Sequence, residues 1–116
     1  MLSLENSERL KQWLSKKPVR NAEWIEEEGI IRLKVIKFKS RIGVWLCRLF
    51  NKPNYFFVNF DEIGSFIWKN CDGEHSMKEI LNMLEEKYGE EKMLERLYLF
   101  MKMLERGGYV KYEDSG

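Results

Sequence analysis

A chain of 116 residues, 44% hydrophobic and 34% charged with only two prolines, is long enough for one ordered domain with a real core and is not a disordered chain. Lys and Arg number 20 against 19 Asp and Glu, so the overall charge is close to balanced. There is no run of about 18 apolar residues and no charged-then-apolar leader, so neither a membrane span nor a signal peptide is expected, and the cytoplasm is the default compartment.

Leu4 to Leu14 places Leu10, Trp13 and Leu14 at helical spacing, with Ser3 or Asn6 available as a cap. That predicts a short N-terminal helix, an extension over residues 1–17 ahead of a main domain at 18–113. Pro18 breaks the helix, and Val19 to Ile25 reads as extended chain leading into a first strand around Glu23 to Glu26. Glu27-Glu28-Gly29 is a turn. Ile30 to Phe38 is a second strand, with Ile31, Leu33 and Val35 on one face and Arg32 and Lys34 on the other. The phase slips at Val35-Ile36, which marks either a bulge or the end of the strand.

Within Ser40 to Pro53, Ile42, Trp45, Leu46, Leu49 and Phe50 fall on helical spacing beside Arg41, Arg48 and Lys52. This is a short basic amphipathic helix stopped by Pro53. Its apolar face is expected to pack on the sheet; a membrane surface and a partner enzyme are the alternative coverings. The helix belongs to a longer basic band. From Gly29 to Phe60 the charged residues are Arg32, Lys34, Lys37, Lys39, Arg41, Arg48 and Lys52, with no Asp or Glu. Such a band binds nucleic acid, anionic lipid or acidic peptide, or is simply a solvated strand face followed by a basic loop.

Tyr55 to Val58 is apolar on both alternating sets, as expected for a strand covered on both faces. It runs into a helix capped by Asn59 or Asp61, with Glu62 in the first turn and Ile63, Phe66 and Ile67 on one face. Asp72-Gly73 turns the chain, and Ser76-Met77-Lys78-Glu79 is a capping box opening a helix over Met77 to Tyr88. A last helix, about Glu90 to Arg106, has Met93, Leu94, Leu97, Phe100, Met101 and Leu104 on its core face and Leu99 and Met103 to one flank. Gly107-Gly108 stops it before a short closing strand at Tyr109 to Tyr112.

Cys47 and Cys71 lie far apart, neither belongs to a CxxC pair, and His75 is the sole histidine. No metal and no cofactor is expected, and the cysteines read as small buried hydrophobes. Nothing looks catalytic: no His is paired with a Ser or Cys, no glycine-rich phosphate loop is present, and the carboxylates sit at cap and surface positions.

A strand ending in Asn59, a helix holding Ile67-Trp68, the Asp72-Gly73 turn, Ser76 opening the next helix, Tyr88 near its end and a third helix closing at Leu104-Glu105-Arg106-Gly107 resemble the PqqD family. The resemblance covers roughly residues 18 to 113 and is clearest from Asn59 to Val110. The inserted helix after Ser40 departs from that pattern. The element order agrees with the fold the resemblance implies: a small α+β domain of winged-helix type, a three-stranded antiparallel sheet followed by a three-helix bundle.

The resemblance implies a peptide-binding chaperone that holds the leader of a ribosomally made precursor peptide and presents it to a modifying enzyme, often a radical S-adenosylmethionine maturase. The mode it implies is strand addition along the third strand, in the groove beside the third helix. Carried onto this chain, the edge is Tyr55, Phe56, Phe57 and Val58, and the wall is Arg96, Leu99, Phe100 and Met103. Leader side chains would enter between Tyr55 or Phe57 and Leu99 or Met103, with acidic ones meeting Lys92 or Arg96; Phe56, Val58 and Phe100 are expected to be core. An open edge can also pair two copies into a dimer. The other functional classes are a nucleic-acid regulator and a structural subunit of an enzyme. For DNA, the mixed-to-acidic face of the last helix, opening Glu90-Glu91-Lys92, is the wrong surface.

Overall fold

The structure, a computed structural model, describes residues 4–113, with side chains from residue 8 onward. Along the chain run α1 (Leu4–Ser15), β1 (Lys17–Arg20), β2 (Trp24–Glu27), β3 (Ile30–Ile36), α2 (Arg41–Leu49), β4 (Tyr55–Asn59), α3 (Glu62–Lys69), α4 (Met77–Tyr88), α5 (Met93–Gly107) and β5 (Val110–Glu113). This is an α+β chain with two antiparallel sheets, one in the order β2-β3-β4 and the other pairing β1 with β5. The cap expected at Ser3 or Asn6 lies outside the described side chains.

Local chemistry accounts for the first sheet. Glu28 and Gly29 have φ of 51° and 83°, the mirror-image turn whose twist suits a two-residue hairpin. Ile31 and Leu33 of β3 are buried, and Arg32 and Lys34 lie on the other face. The phase slip is the end of the strand, which stops at Ile36 rather than Phe38.

The helices are capped as their sequences require. Asp61 accepts from Gly64 N at 2.7 Å, and Ser76 and Glu79 complete a reciprocal capping box. The core centres on Trp68, fully buried, with Trp24 and Phe60 edge-on to its ring at 6.4 and 5.8 Å. Ser65 is buried too, and its hydroxyl accepts from Ile31 N at 2.9 Å, which fixes α3 beneath β3. Trp13 of α1 joins the same core.

The β1 strand is clasped from two sides. It pairs with β5, and Gly73 N donates to Pro18 O at 2.8 Å while Arg20 N donates to Cys71 O at 3.0 Å. The Arg20 guanidinium donates to Trp68 O and Lys69 O at 3.1 and 2.8 Å, putting a cation where the C-terminal end of α3 carries partial negative charge. Burial pushes the Cys71 thiol up to about 12, with Arg20 opposing more weakly and Asp72 adding to the rise, so this cysteine is inert packing.

Asp72 organises the turn into α4. Partial burial works against its charge, but hydrogen bonds from Glu74 N, His75 N and the His75 ring outweigh that and hold the carboxyl down at about 2, from an ordinary 3.8. The folded pKa is lowered, so the stabilisation is complete above the ordinary value and is lost as pH falls through the folded one. Asp72→Asn should lower the thermal midpoint at neutral pH, and the gap from the parent should close between about pH 4 and pH 2. A gap that persists unchanged at the acid end would show that the charge plays no part.

Three expectations are corrected. The α2 helix does not lay its apolar stripe on the sheet: Gly43 is its buried residue, held against Phe38, where an added Cβ would come within 2.4 Å of the Phe38 Cβ. The apolar residues of β4 are not covered on both faces; Phe56 is 45% and Val58 39% exposed. The last helix starts at Met93, because Lys92 adopts a left-handed φ of 59° and Glu90 and Glu91 belong to the turn.

Candidate functional site

The β4 strand is an edge strand with one free side. Phe60 N donates to Ile31 O at 2.9 Å and Lys37 N to Asn54 O at 3.1 Å. In an antiparallel ladder the bonded pairs recur every second residue, so Val58 faces Leu33 and Phe56 faces Val35 with their main-chain groups turned inward. The N–H and C=O groups of Tyr55, Phe57 and Asn59 therefore point away from β3. No other strand pairs with them among the described residues.

The two edges of this sheet are guarded differently. On β2, Glu26 and Glu27 are exposed, and Glu26 pairs with Lys69 at 2.6 Å. Edge charges of this kind discourage a visiting strand. No residue of β4 is charged or proline, and its sequence YFFVN has high strand propensity.

Register also decides which side chains share a face: Phe56 and Val58 lie on the core side as expected but stay exposed, and Tyr55 and Phe57 turn away from Leu99 and Met103 rather than toward them. Directly paired residues project to the same side, so Phe56 and Val58 lie with Val35 and Leu33 on the helix-facing side. Tyr55 and Phe57 lie on the outer side with Lys34 and Arg32. There Arg32 stacks over Phe57 at 5.0 Å, Lys34 over Tyr55 at 4.6 Å, and the two rings meet edge-to-face at 5.9 Å. Tyr55 and Phe57 thus supply main-chain groups to the edge, while Phe56 and Val58 present their side chains on the face of Val35 and Leu33.

The α5 helix comes near the end of this strand. Phe100 is half-buried and meets Phe60, the residue just after β4, at 5.1 Å between ring centroids. This contact brings one face of α5 to the end of the strand. Leu99 and Met103 share that face and are 61% and 64% exposed, as the helical wheel predicts. Arg96, one turn earlier, reaches Asp61 at 3.9 Å, a loose surface pair that leaves its charge available. A cavity of about 260 Å³ lies between α3 and α5, lined by Asp61, Ile63, Gly64, Ile67, Arg96, Leu99 and Phe100. Gly64 is what lets the helices approach: an added Cβ would sit 3.2 Å from the Phe100 ring. Lys92 stands at the start of α5.

Asn54 is a structural residue of this region with no signal in the sequence pattern. Its amide donates to Phe38 O at 2.8 Å and accepts from Phe38 N at 3.0 Å, imitating a strand partner and closing the base of the α2 insertion. Only a side chain 16 positions away completes the motif, so local spacing carries no trace of it.

Among the described residues no group of three or more His, Cys, Asp and Glu is placed to hold a metal, and no helix is long and apolar enough to cross a membrane. No curated protein and no solved structure matches the chain. The family model described as coenzyme PQQ synthesis protein D (PqqD) matches residues 49–110. That span is more than half of the chain, and it takes in the β4 edge, the α3–α5 cavity and the whole of α5. The chain belongs to the PqqD family.

Proposed function

We propose that this protein is a non-catalytic peptide-binding chaperone of winged-helix type, which takes the leader of a ribosomally made precursor peptide onto β4 and presents it to a modifying enzyme. The observation that carries this reading is the unguarded edge of β4 bordering exposed apolar side chains on the side where α5 stands. The outward groups of Tyr55, Phe57 and Asn59 bind any extended chain without regard to sequence. Selection falls to the side chains. Alternate residues of the guest on the groove side meet Phe56, Val58, Leu99 and Met103, and an acidic residue of the guest finds Arg96 or Lys92. Family membership supports a role in peptide maturation, with a radical S-adenosylmethionine enzyme as the class of recipient.

The test is titration with the leader of a precursor encoded in the same gene neighbourhood, followed by fluorescence anisotropy. Leu99→Asp should weaken binding by about tenfold or more, since a carboxylate would be desolvated against apolar guest side chains. Far-UV circular dichroism should be unchanged, because Leu99 is on the surface. Absence of binding by the parent protein, or unaltered affinity in Leu99→Asp, would remove the support for this reading.

A further inference from the structure

The β4 edge leaves α2 unexplained. Its exposed residues Ile42, Trp45, Leu46, Leu49 and Phe50 repeat at i, i+3, i+4, i+7 and i+8, the spacing by which a helix normally seats itself on a core. Here that stripe faces solvent, with Ile42 73% and Phe50 66% exposed, while Gly43 forms the buried contact. The radius of gyration is 16.7 Å, against ~13 Å for a compact chain of this length, so part of the molecule stands off the core.

The charges around the stripe say what can cover it. Arg41 and Arg48 lie on one flank of the helix, and Lys37, Lys39 and Lys52 sit on the segments leading into and out of it. None of these five cations enters an ion pair among the described residues, unlike Arg32 and Lys34, which pair with Glu27 and Glu23. No Asp or Glu occurs between Gly29 and Phe60. A second copy docked stripe to stripe would bring these cations together with no local carboxylate to pair them. A peptide guest would need a concave groove, and a single exposed helix is convex. A planar anionic surface answers both features, because Trp, Phe and Leu side chains enter the headgroup boundary while cations meet phosphate and carboxylate.

We infer that α2 is a membrane-surface docking element that lays its apolar stripe into an anionic phospholipid bilayer, leaving the β4 edge free. The site differs from the peptide edge, so the two readings fail separately.

The experiment is co-sedimentation of the full chain with phosphatidylcholine vesicles with and without phosphatidylserine, read together with tryptophan emission. Trp45 is the exposed tryptophan of the four, the others being buried or half-buried. Binding to the anionic vesicles, a blue shift in emission and a steep loss with salt are expected. Ile42→Glu combined with Leu49→Glu should abolish both signals with far-UV circular dichroism intact, and Arg41→Glu with Arg48→Glu should cut the bound fraction's affinity on the order of tenfold. Peptide affinity should not change in either variant. The proposal is overturned by no association with anionic vesicles at low salt. It is overturned equally by association that Ile42→Glu with Leu49→Glu does not alter, or by a solution dimer in sedimentation velocity that the same pair of substitutions dissolves.

Discussion

Trp68→Ala is expected to lower stability by ~3–5 kcal/mol, the range for truncating a large buried aromatic. Against a total of roughly 5–15 kcal/mol for a natural domain, that is the largest loss a single side chain of this protein should produce. Trp68 is fully buried, and two other rings, Trp24 from β2 and Phe60 from the β4–α3 link, rest edge-on against it. Removing the indole takes one wall from each. The sheet, the link and α3 all lose their common contact, so collapse around the void cannot fill it without moving an element. Trp68→Phe should cost less than half as much. Its ring keeps most of the packing, and the Trp68 indole N–H is buried with no hydrogen-bond partner among the described residues, so replacing it with carbon recovers part of a desolvation cost. Thermal melts of the two variants check this. A Trp68→Phe loss equal to that of Trp68→Ala would mean that the indole N–H is satisfied after all.

The elements that local chemistry specifies were readable from the chain. The capping box at Ser76 and the stripe from Met77 fix α4 at Met77–Tyr88, and Asp61, one of two expected caps, is the residue that starts α3. Leu99 and Met103 on the flank of α5 follow from the wheel alone. What was not readable depended on partners distant in sequence. YFFV is apolar at every position, so it does not say that Tyr55 and Phe57 turn away from Leu99 and Met103; β3 sets that through the pairing of Leu33 with Val58. Periodicity gave α2 its stripe but not the direction of the stripe, which Phe38 against Gly43 and the Asn54 clasp decide. The pairing of β1 with β5 joins Lys17 to Glu113, nearly the whole described chain apart, across a Pro18 that reads locally as a break. The Arg20 guanidinium on the end of α3 is likewise a contact 48 positions long.

Phe57→Pro is expected to leave the domain folded and to lose the peptide, whereas Phe56→Pro should break the hairpin. The contrast follows from the direction of two neighbouring N–H groups. Phe57 N–H points away from β3, so a proline there deletes no ladder bond; proline is tolerated on an edge in that orientation. The variant loses the ring contacts with Arg32 and Tyr55, which lie on the exposed face and contribute about 1 kcal/mol. For a guest strand the same change removes a donor and puts a pyrrolidine ring in the pairing line. At roughly 0.5–1.5 kcal/mol per hydrogen bond plus the steric block, affinity should fall by tenfold or more. Phe56 N–H, by contrast, faces Val35 within the sheet. Proline at 56 strands the Val35 carbonyl at a cost of ~1–3 kcal/mol and drives its ring into β3. Amide hydrogen exchange reads the same geometry without substitution. Tyr55, Phe57 and Asn59 should exchange quickly in the free protein and become protected when peptide is added, while Phe56 and Val58 should be slow throughout. Reversed behaviour of the two prolines would place the ladder one residue out of register, turning the side chains of Tyr55 and Phe57 toward the helices and handing the outward main-chain groups to Phe56 and Val58.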